Sequence, residues 1–165
     1  MASVDKTITG LKELYKDTHR LIQSSDGYLY NTKCVFNEPA TIQQITSLCN
    51  EKKWTLPEDY KQFLLITNGA KIFYDEYYGM SWEFFNINDL LTLPYLQFPD
   101  HLVPIAFHIG DFLVIDTNKV DEGNYLSFQD HEESLSSPSV LFNYGFDVWL
   151  DRLVVCQGTK FWEWK

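Results

Sequence analysis

The N-terminal part of the chain begins with apolar residues at helical spacing. Between Val4 and Gln23 they recur every three or four residues, which predicts a first amphipathic helix. The segment Ser24 to Pro39 loses this period and contains Asp26-Gly27, which is a turn signal. We therefore expect irregular structure there, with one extended piece at Cys34 to Phe36.

Two shorter helices follow, and each has a start signal. Thr41 is a capping residue type, and the apolar positions from Ile42 to Cys49 predict a second helix that stops near Trp54. The third helix begins at Pro57, has two acidic residues in its first turn and ends at Asn68-Gly69, which makes it about three turns long. Its inward positions are Tyr60, Phe63, Leu64 and Thr67.

After Gly69 the pattern changes to short runs of aromatic and β-branched residues that are separated by turn residues. Such runs predict strands. They are Lys71–Tyr74, Met80–Phe85, Val103–His108, Phe112–Asp116 and Asn124–Phe128. A brief helix, Asn88–Leu93, interrupts the runs, and Pro94 ends it.

The C-terminal part predicts one more helix. Ser134–Pro138 is a loop, and Asn143 then caps a helix from Tyr144 to Cys156 whose apolar residues share one face. The tail Thr159–Lys165 is short and aromatic, so it either adds an edge strand or packs across the core.

The order of these elements indicates the fold class. Helices first, then strands, then a helix is the order of an α+β domain rather than of a doubly wound fold. We predict a single, mostly antiparallel sheet of four to six strands packed with N-terminal helices and a C-terminal helix. A length of 165 residues without an internal repeat favours one domain spanning residues 1–165.

Composition and charge favour a protein partner. Aromatic residues make up 16% of the chain, more than a core of this size needs, and Tyr and Trp supply contact energy at interfaces. The net charge of −10 disfavours binding to nucleic acid and to anionic membranes. It favours capture of a basic protein, although an acidic surface also serves plain solubility.

Cysteine usage and the absence of export signals predict a cytoplasmic protein. Cys34, Cys49 and Cys156 are odd in number and widely spaced, so we expect buried free thiols in a reducing compartment. The N-terminus lacks the pattern of a signal peptide, and no stretch of about 18 apolar residues occurs that could span a membrane.

Candidate chemistry is sparse, and we predict no catalytic residue, no cofactor and no metal site. The sequence has no nucleophile elbow and no phosphate-binding glycine loop. His108 and Asp111 could form an acid/base pair, but a hairpin turn at Gly110-Asp111 explains them better. The run from Asp130 to Glu133 contains one histidine and three carboxylates, for which a solvated turn is the ordinary explanation.

The most unusual stretch is Phe73 to Phe85, where aromatic and acidic residues interleave across a loop between two predicted strands. Aromatic side chains supply buried contact area at an interface, and carboxylates pair with Lys or Arg of the partner. We assign Phe73, Trp82 and Phe84 to the core and expect residues 74–78 to be the exposed set. Partner contacts are predicted at Tyr74, Asp75, Glu76, Tyr77, Tyr78 and Glu83, with a second acidic rim at Asp121, Glu122, Asp130, Glu132 and Glu133.

The ordered motifs resemble the SUKH superfamily. The segment from Trp54 to Leu64, which leads into Asn68-Gly69, is similar to that family's W-x-L-P-x-x-Y-x-x-F-L stretch and its N-G turn. Phe85–Leu90 resembles the family's strand and short helix, Pro104–Asp116 its central hairpin, and Phe146–Leu150 its closing helix. The resemblance covers about Ala40 to Val155.

This resemblance implies a binding function. Bacterial members of the family are implied to be cytoplasmic immunity proteins that bind and block toxin domains, often nucleases. Eukaryotic members are implied to regulate cell-wall assembly through protein contacts. We therefore expect a non-enzymatic immunity protein that occludes a basic toxin domain, and the alternative is a regulatory scaffold that binds a cell-wall or signalling protein.

Overall fold

A computed structural model of the chain describes residues 2–92 and 97–165. The described helices are α1 (Val4–Leu14), α2 (Ile42–Lys52), α3 (Glu58–Ile66), α4 (Ile87–Thr92) and α5 (Phe146–Val155). The described strands are β1 (Arg20–Gln23), β2 (Leu29–Phe36), β3 (Ala70–Asp75), β4 (Met80–Phe84), β5 (Leu102–His108), β6 (Asp111–Asp116), β7 (Leu126–Gln129) and β8 (Val140–Leu141). Short 3-10 turns occur at Val120–Glu122 and Phe161–Glu163.

The strands form one antiparallel sheet in which spatial order follows chain order from β1 to β8. The fold is therefore α+β with a single antiparallel sheet, as predicted. The expected four to six strands were too few, because the described sheet has eight. The additional strands come from the N-terminal part of the chain and from the two-residue β8.

The first helix ends earlier than its apolar spacing predicts. It stops at Leu14, and Asp17 adopts a left-handed conformation with φ of 53°, which breaks the helical path. Leu21 and Ile22 fit a helical stripe, yet they lie in β1, where Ile22 points into the core and Leu21 points outward. The prediction of a helix to Gln23 was wrong because two adjacent apolar residues, Leu21 and Ile22, fit the end of a helix as well as a short strand.

The irregular segment predicted between residues 24 and 39 contains a strand of eight residues, β2. The sequence does not predict this strand in full, because its polar residues interrupt the apolar pattern by which a strand is recognised. Thr32, for example, is fully buried because its hydroxyl bonds to the Tyr15 hydroxyl at 3.0 Å and donates to the Arg20 carbonyl at 3.0 Å. Side-chain hydrogen bonds, rather than apolar character, place this position in the core.

The two helices with start signals formed as predicted. The Thr41 side chain accepts from the Gln44 N–H at 3.2 Å, and the Gln44 side chain accepts from the Thr41 N–H at 2.8 Å, which is a complete capping box. The four inward residues predicted for α3 are all buried, three within the helix and Thr67 at its C-cap: Tyr60, Phe63, Leu64 and Thr67. Pro57 lies at the N-cap of this helix.

Two other predicted helices were shifted. Gly145 rather than Asn143 occupies the N-cap of α5, and the helix ends at Val155. The short helix α4 begins at Ile87, and the predicted end at Leu93 and Pro94 lies outside the described residues. None of the helices among the described residues has the length and apolar character needed to cross a bilayer.

The helices cover one face of the sheet. Trp82 and Phe84 of β4 pack edge to face against Trp149 of α5, at ring separations of 5.2 and 6.4 Å. Glu83, which lies between them, therefore points to the other face. The C-terminal tail packs across the core, the second of its two predicted placements, because Trp162 contacts Trp82 at 6.1 Å.

The three cysteines are free thiols, as predicted, but each is half-buried rather than buried. Burial raises the pKa of the Cys34 thiol to about 11. That thiol therefore stays protonated near neutral pH, and a protonated thiol is a poor nucleophile and metal ligand.

A polar network joins α3 to the N-terminus of α5. The Asp59 carboxylate accepts from the Tyr125 hydroxyl at 2.5 Å and from the Asp147 N–H at 3.1 Å. The Tyr125 hydroxyl in turn accepts from the Phe146 N–H at 3.0 Å. A Cβ at Gly145 would lie 2.8 Å from both oxygens, which explains the glycine at this position. Burial, together with Asp59, raises the pKa of Tyr125, so its hydroxyl remains a donor.

Removal of one hydroxyl tests this network. Tyr125→Phe leaves the Phe146 N–H without its acceptor and removes one of the donors to Asp59, so we expect a loss of about 1 to 3 kcal/mol in the free energy of unfolding. Tyr77→Phe is the matched control, because the Tyr77 ring is almost fully exposed and its loss should be within about 0.5 kcal/mol. Denaturant titration of both variants measures the difference, and equal stabilities would refute the assigned role.

Candidate functional site

Several of the connections between strands lie at one end of the sheet. In an antiparallel sheet that follows chain order, every second connection lies at the same end. The turns of residues 24–28, 76–79 and 109–110 therefore lie together with the start of the β7–β8 connection at residues 130–133. The C-terminal tail, residues 157–165, joins them, since a cavity of about 450 Å³ has Asp26, Ile109 and Trp164 in its lining. We call this surface the turn end.

Large apolar and aromatic side chains are exposed at the turn end. Each has an exposed fraction of 60% or more: Tyr28, Leu29, Tyr77, Tyr78, Ile109 and Trp164. The Tyr78 ring packs edge to face against Tyr77 at 4.8 Å and against Tyr30 at 5.5 Å, so the tyrosines hold one another in place. Clustered exposed aromatics of this kind mark interaction surfaces rather than random surface composition.

The sequence identified only part of this cluster. Tyr77 and Tyr78 were predicted, whereas Tyr28, Leu29 and Trp164 lie far from them along the chain. The order of the strands brings the β1–β2 turn to the tyrosines, and the packing of the C-terminal tail brings Trp164 to the same end. Ile109 was missed because the hairpin turn was predicted at Gly110-Asp111. The turn residues are Ile109 and Gly110, both with positive φ (50° and 92°), and Asp111 already belongs to β6.

Acidic residues from two of the predicted groups meet at the turn end. Glu76 follows β3, while Asp130, Glu132 and Glu133 follow β7. Glu76 is paired with Lys33 at 2.5 Å, and this contact lowers the pKa of its carboxyl. Glu132 and Glu133 are exposed, and no cation among the described residues lies within 4.0 Å of either carboxylate. These two carboxylates can therefore pair with cations of a partner.

The expected exposure of Asp75 was wrong. Its side chain is buried, with 3% exposed, and it accepts three backbone N–H groups. These are the amides of Asn31 at 2.9 Å, Tyr77 at 2.9 Å and Tyr78 at 3.0 Å. Asp75 thus fixes the turn that displays the two tyrosines, and it offers a partner little surface.

Other predicted contact residues lie elsewhere. Tyr74, which was expected to be exposed, is half-buried between Lys33 and Lys71, whose ammonium groups lie 5.7 and 5.4 Å from its ring centre. Glu83 pairs with Lys71 at 3.8 Å on the sheet face that the helices leave uncovered. Asp121 and Glu122 lie in the β6–β7 connection, at the opposite end of the sheet.

An ion-pair network anchors the tail at the turn end. Asp111, which is buried, accepts from Lys160 Nζ through Oδ2 and from His131 Nδ1 through Oδ1, both at 2.6 Å. Asp111, Asp130 and His131 bring potential metal ligands within 4.8 Å of one another. The Lys160 ammonium already neutralises Asp111 and repels a further cation, so the cluster is explained by ion pairing.

His108 is the last residue of β5 and lines the cavity at the turn end. Its ring stacks on Trp82 with centroids 4.3 Å apart and planes within 3°, and its Nδ1 donates to the Ser81 carbonyl at 2.8 Å. Burial lowers the pKa of this imidazole to about 4. His108 Nδ1 and both carboxylate oxygens of Asp111 thus bond to other groups, and these contacts give each residue a structural role.

Sequence comparisons identify similar proteins. The sequence profile of the SMI1 / KNR4 family (SUKH-1) matches residues 39–152. The uncharacterized protein YnaB of Bacillus subtilis (strain 168) is 32% identical over 130 residues, which cover 78% of this chain and 85% of YnaB. The uncharacterized protein YobM of the same organism is 30% identical over 174 residues, covering 98% of this chain and 92% of YobM.

The buried His108 predicts a loss of stability in acid. Its pKa is about 4 in the folded chain and 6.5 ordinarily, so the unfolded chain binds more protons between these values. The free energy of unfolding should fall as the pH decreases from 6.5 toward 4, by about 3 kcal/mol from this side chain. Denaturant titrations across this range should show a smaller fall for His108→Phe than for the unsubstituted protein.

His131 provides a control of opposite sign. The hydrogen bond to Asp111 raises the pKa of its imidazole, so its contribution is fully present below pH 6.5 and is lost as the pH rises through the raised value. His131→Gln should therefore remove stability at acidic pH and have less effect at alkaline pH. Parallel stability curves for the two histidine variants would contradict both assignments.

Proposed function

Because the chain belongs to the SMI1 / KNR4 family (SUKH-1), we propose that it is a non-catalytic immunity protein that binds and neutralises a toxin domain. The observation that carries the proposal is the turn end, where exposed aromatic rings lie beside unpaired carboxylates. Interfaces of high affinity combine a few aromatic anchors with a charged rim in this way. The protein would act in the cytoplasm of the cell that must be protected.

The proposed mechanism is stoichiometric occlusion. Tyr77, Tyr78, Ile109 and Trp164 form the anchors. Glu132 and Glu133 form one side of the rim, since they follow His131, whose ring lies against Gly110 beside Ile109. A toxin domain that acts on nucleic acid carries a basic cleft, because its substrate is a polyanion. An acidic protein with a net charge of −10 is attracted to such a cleft, and on docking it covers the substrate path.

Two structural features support binding rather than catalysis. The best acid/base candidates in the sequence, His108 and Asp111, are engaged by Ser81, Lys160 and His131. The turn end also exposes apolar area where an enzyme cleft would bury reactive polar groups. A regulatory scaffold would use the same kind of surface, so the identity of the partner separates the two functions.

The experiment uses the C-terminal domain encoded by the adjacent gene, measured by calorimetry at two salt concentrations and by co-expression. We expect one-to-one binding, weaker affinity at high salt, and protection of the cells from the toxin. Absence of both binding and protection would reject the immunity function. Binding of an endogenous cell-wall protein instead would support the scaffold.

Two double variants with the same change in charge locate the contact. Glu132→Gln with Glu133→Gln removes two charges at the turn end, and Asp121→Asn with Glu122→Gln removes two at the opposite end. We expect the first pair to slow association at low salt by roughly tenfold and the second to leave it almost unchanged. Stopped-flow kinetics measures both, and equal rates would remove the turn end from the interface.

Ile109 provides a test that separates stability from binding. A β-branched residue at φ of 50° is strained, and asparagine adopts this conformation at lower cost. Ile109→Asn should raise the free energy of unfolding by about 1 kcal/mol and weaken partner binding through loss of an exposed apolar anchor. A variant that is more stable and binds equally well would exclude Ile109 from the site.

A further inference from the structure

The strand β1 has unused hydrogen-bonding groups. The Ser24 N–H donates to the Tyr28 carbonyl at 2.9 Å, which makes these two residues a hydrogen-bonded pair. Bonded and non-bonded pairs alternate along an antiparallel ladder, so Leu21, opposite Asn31, belongs to a non-bonded pair. The N–H and C=O of Leu21 therefore point away from β2, at the outer edge of the sheet. No hydrogen bond from the described residues reaches either group.

A side-chain amide already accepts one of the outward N–H groups of this edge, as the backbone of a neighbouring strand would. Gln23 lies two residues beyond Leu21, and its N–H also points outward. The side-chain carbonyl of Gln157, just after α5, accepts from this N–H at 3.3 Å. One position of the edge is thus satisfied by an amide oxygen, while the position at Leu21 is open to the same kind of group.

A groove runs beside the open edge. It has a volume of about 530 Å³ and lies between β1 and the C-terminal ends of α1 and α5. Its lining includes three exposed apolar side chains, Leu14, Leu21 and Val155, with exposed fractions of 46, 66 and 74%. Buried aromatic residues, Tyr15 and Phe73, also line it. The groove therefore offers apolar contacts to side chains of a segment that bonds to the edge.

The charge of the groove is opposite to that of the whole chain. Its titratable lining residues other than Tyr15 are Arg20 and His19, and no carboxylate lines it. His19 lies 3.6 Å from Glu76 outside the groove, so the positive charge of the groove is that of Arg20. Each of the four other described cavities has at least one carboxylate in its lining. The Arg20 guanidinium donates one of its five N–H groups to the Leu14 carbonyl, and this bond holds the cation at the groove.

We propose that this groove binds an extended, acidic and apolar segment of a partner protein, which adds to β1 as a further strand. The main chain of the segment bonds to Leu21, its apolar side chains contact Leu14 and Val155, and its carboxylate pairs with Arg20. Edge-strand addition gives affinity through the main chain and specificity through side-chain contacts. The groove is distinct from the proposed toxin contact, whose unpaired acids require a basic partner.

Synthetic hexapeptides that combine Glu with Leu, Val or Phe test the proposal on the full chain. In ¹⁵N NMR titrations we expect the amide of Leu21 to shift and its hydrogen exchange to slow as a peptide binds. Peptides with Lys in place of Glu should not bind. Peptides with a methylated central backbone nitrogen should bind roughly three- to tenfold more weakly, because one main-chain hydrogen bond is lost.

Protein variants test the same contacts. Leu21→Pro removes an outward N–H, together with the leucine side chain, without breaking a ladder bond to β2, so it should weaken binding at least roughly three- to tenfold. Arg20→Glu should abolish binding of the acidic peptides. Lys6→Glu, which makes the same charge change at an exposed position of α1 outside the groove, should leave binding unchanged.

Several outcomes would overturn the proposal. They are the absence of any Leu21 shift at millimolar peptide, equal binding of the lysine peptides, and equal loss in the Arg20 and Lys6 variants. Sedimentation of the chain alone gives another test. A dimer that disappears in Leu21→Pro would show that the edge is occupied by a second copy of this chain instead of an acidic partner.

Discussion

The packing of Trp82 is the contact on which most of the structure depends. Its ring lies on the helix-covered face of β4 and contacts His108, Trp149 and Trp162 at 4.3, 5.2 and 6.1 Å. Its Nε1 donates to the Gly158 carbonyl at 2.8 Å. One buried side chain thus joins the sheet, the last helix and the C-terminal tail, and it supports the base of the turn end through His108. A smaller residue there would leave a cavity that none of these elements can fill alone.

The aromatic residues of the chain fall into two groups. One part is a connected set of rings in the core, in which Tyr60, Phe63 and Phe146 pack within about 6 Å of one another. The other part is the exposed cluster at the turn end. The sequence pattern indicated that some aromatics must be on the surface, but it could not separate the groups beyond Tyr77 and Tyr78. Exposure depends on which strands are neighbours, and β1 and β2 were not recognised as a hairpin.

The elements that were predicted correctly are those with local causes. The helices α2 and α3 were found because the caps and stop signals act within a few residues: Thr41 with Gln44, and Pro57 with Asn68-Gly69. The extended piece predicted at Cys34 to Phe36 is the end of β2, whereas β1 and the rest of β2 were missed because their stability is tertiary, as the bonds of Thr32 to Tyr15 and Arg20 show. Asp75 was misjudged for a related reason: a carboxylate that accepts three amides is indistinguishable in sequence from a solvated one.

The distribution of charge follows from the same topology. In a sheet ordered from β1 to β8, alternate connections meet at one end, so acids that are distant in sequence, such as Glu76 and Glu133, share a surface. Lys33 and Lys160 partly neutralise this end by pairing with Glu76 and Asp111, and Glu132 and Glu133 are among the acids that keep an unpaired charge there. The open edge of β1 has Arg20 and His19 instead. The two surfaces adjoin, since His19 lies 3.6 Å from Glu76, but they differ in local charge, and a partner that is uniformly basic or uniformly acidic would complement only one of them.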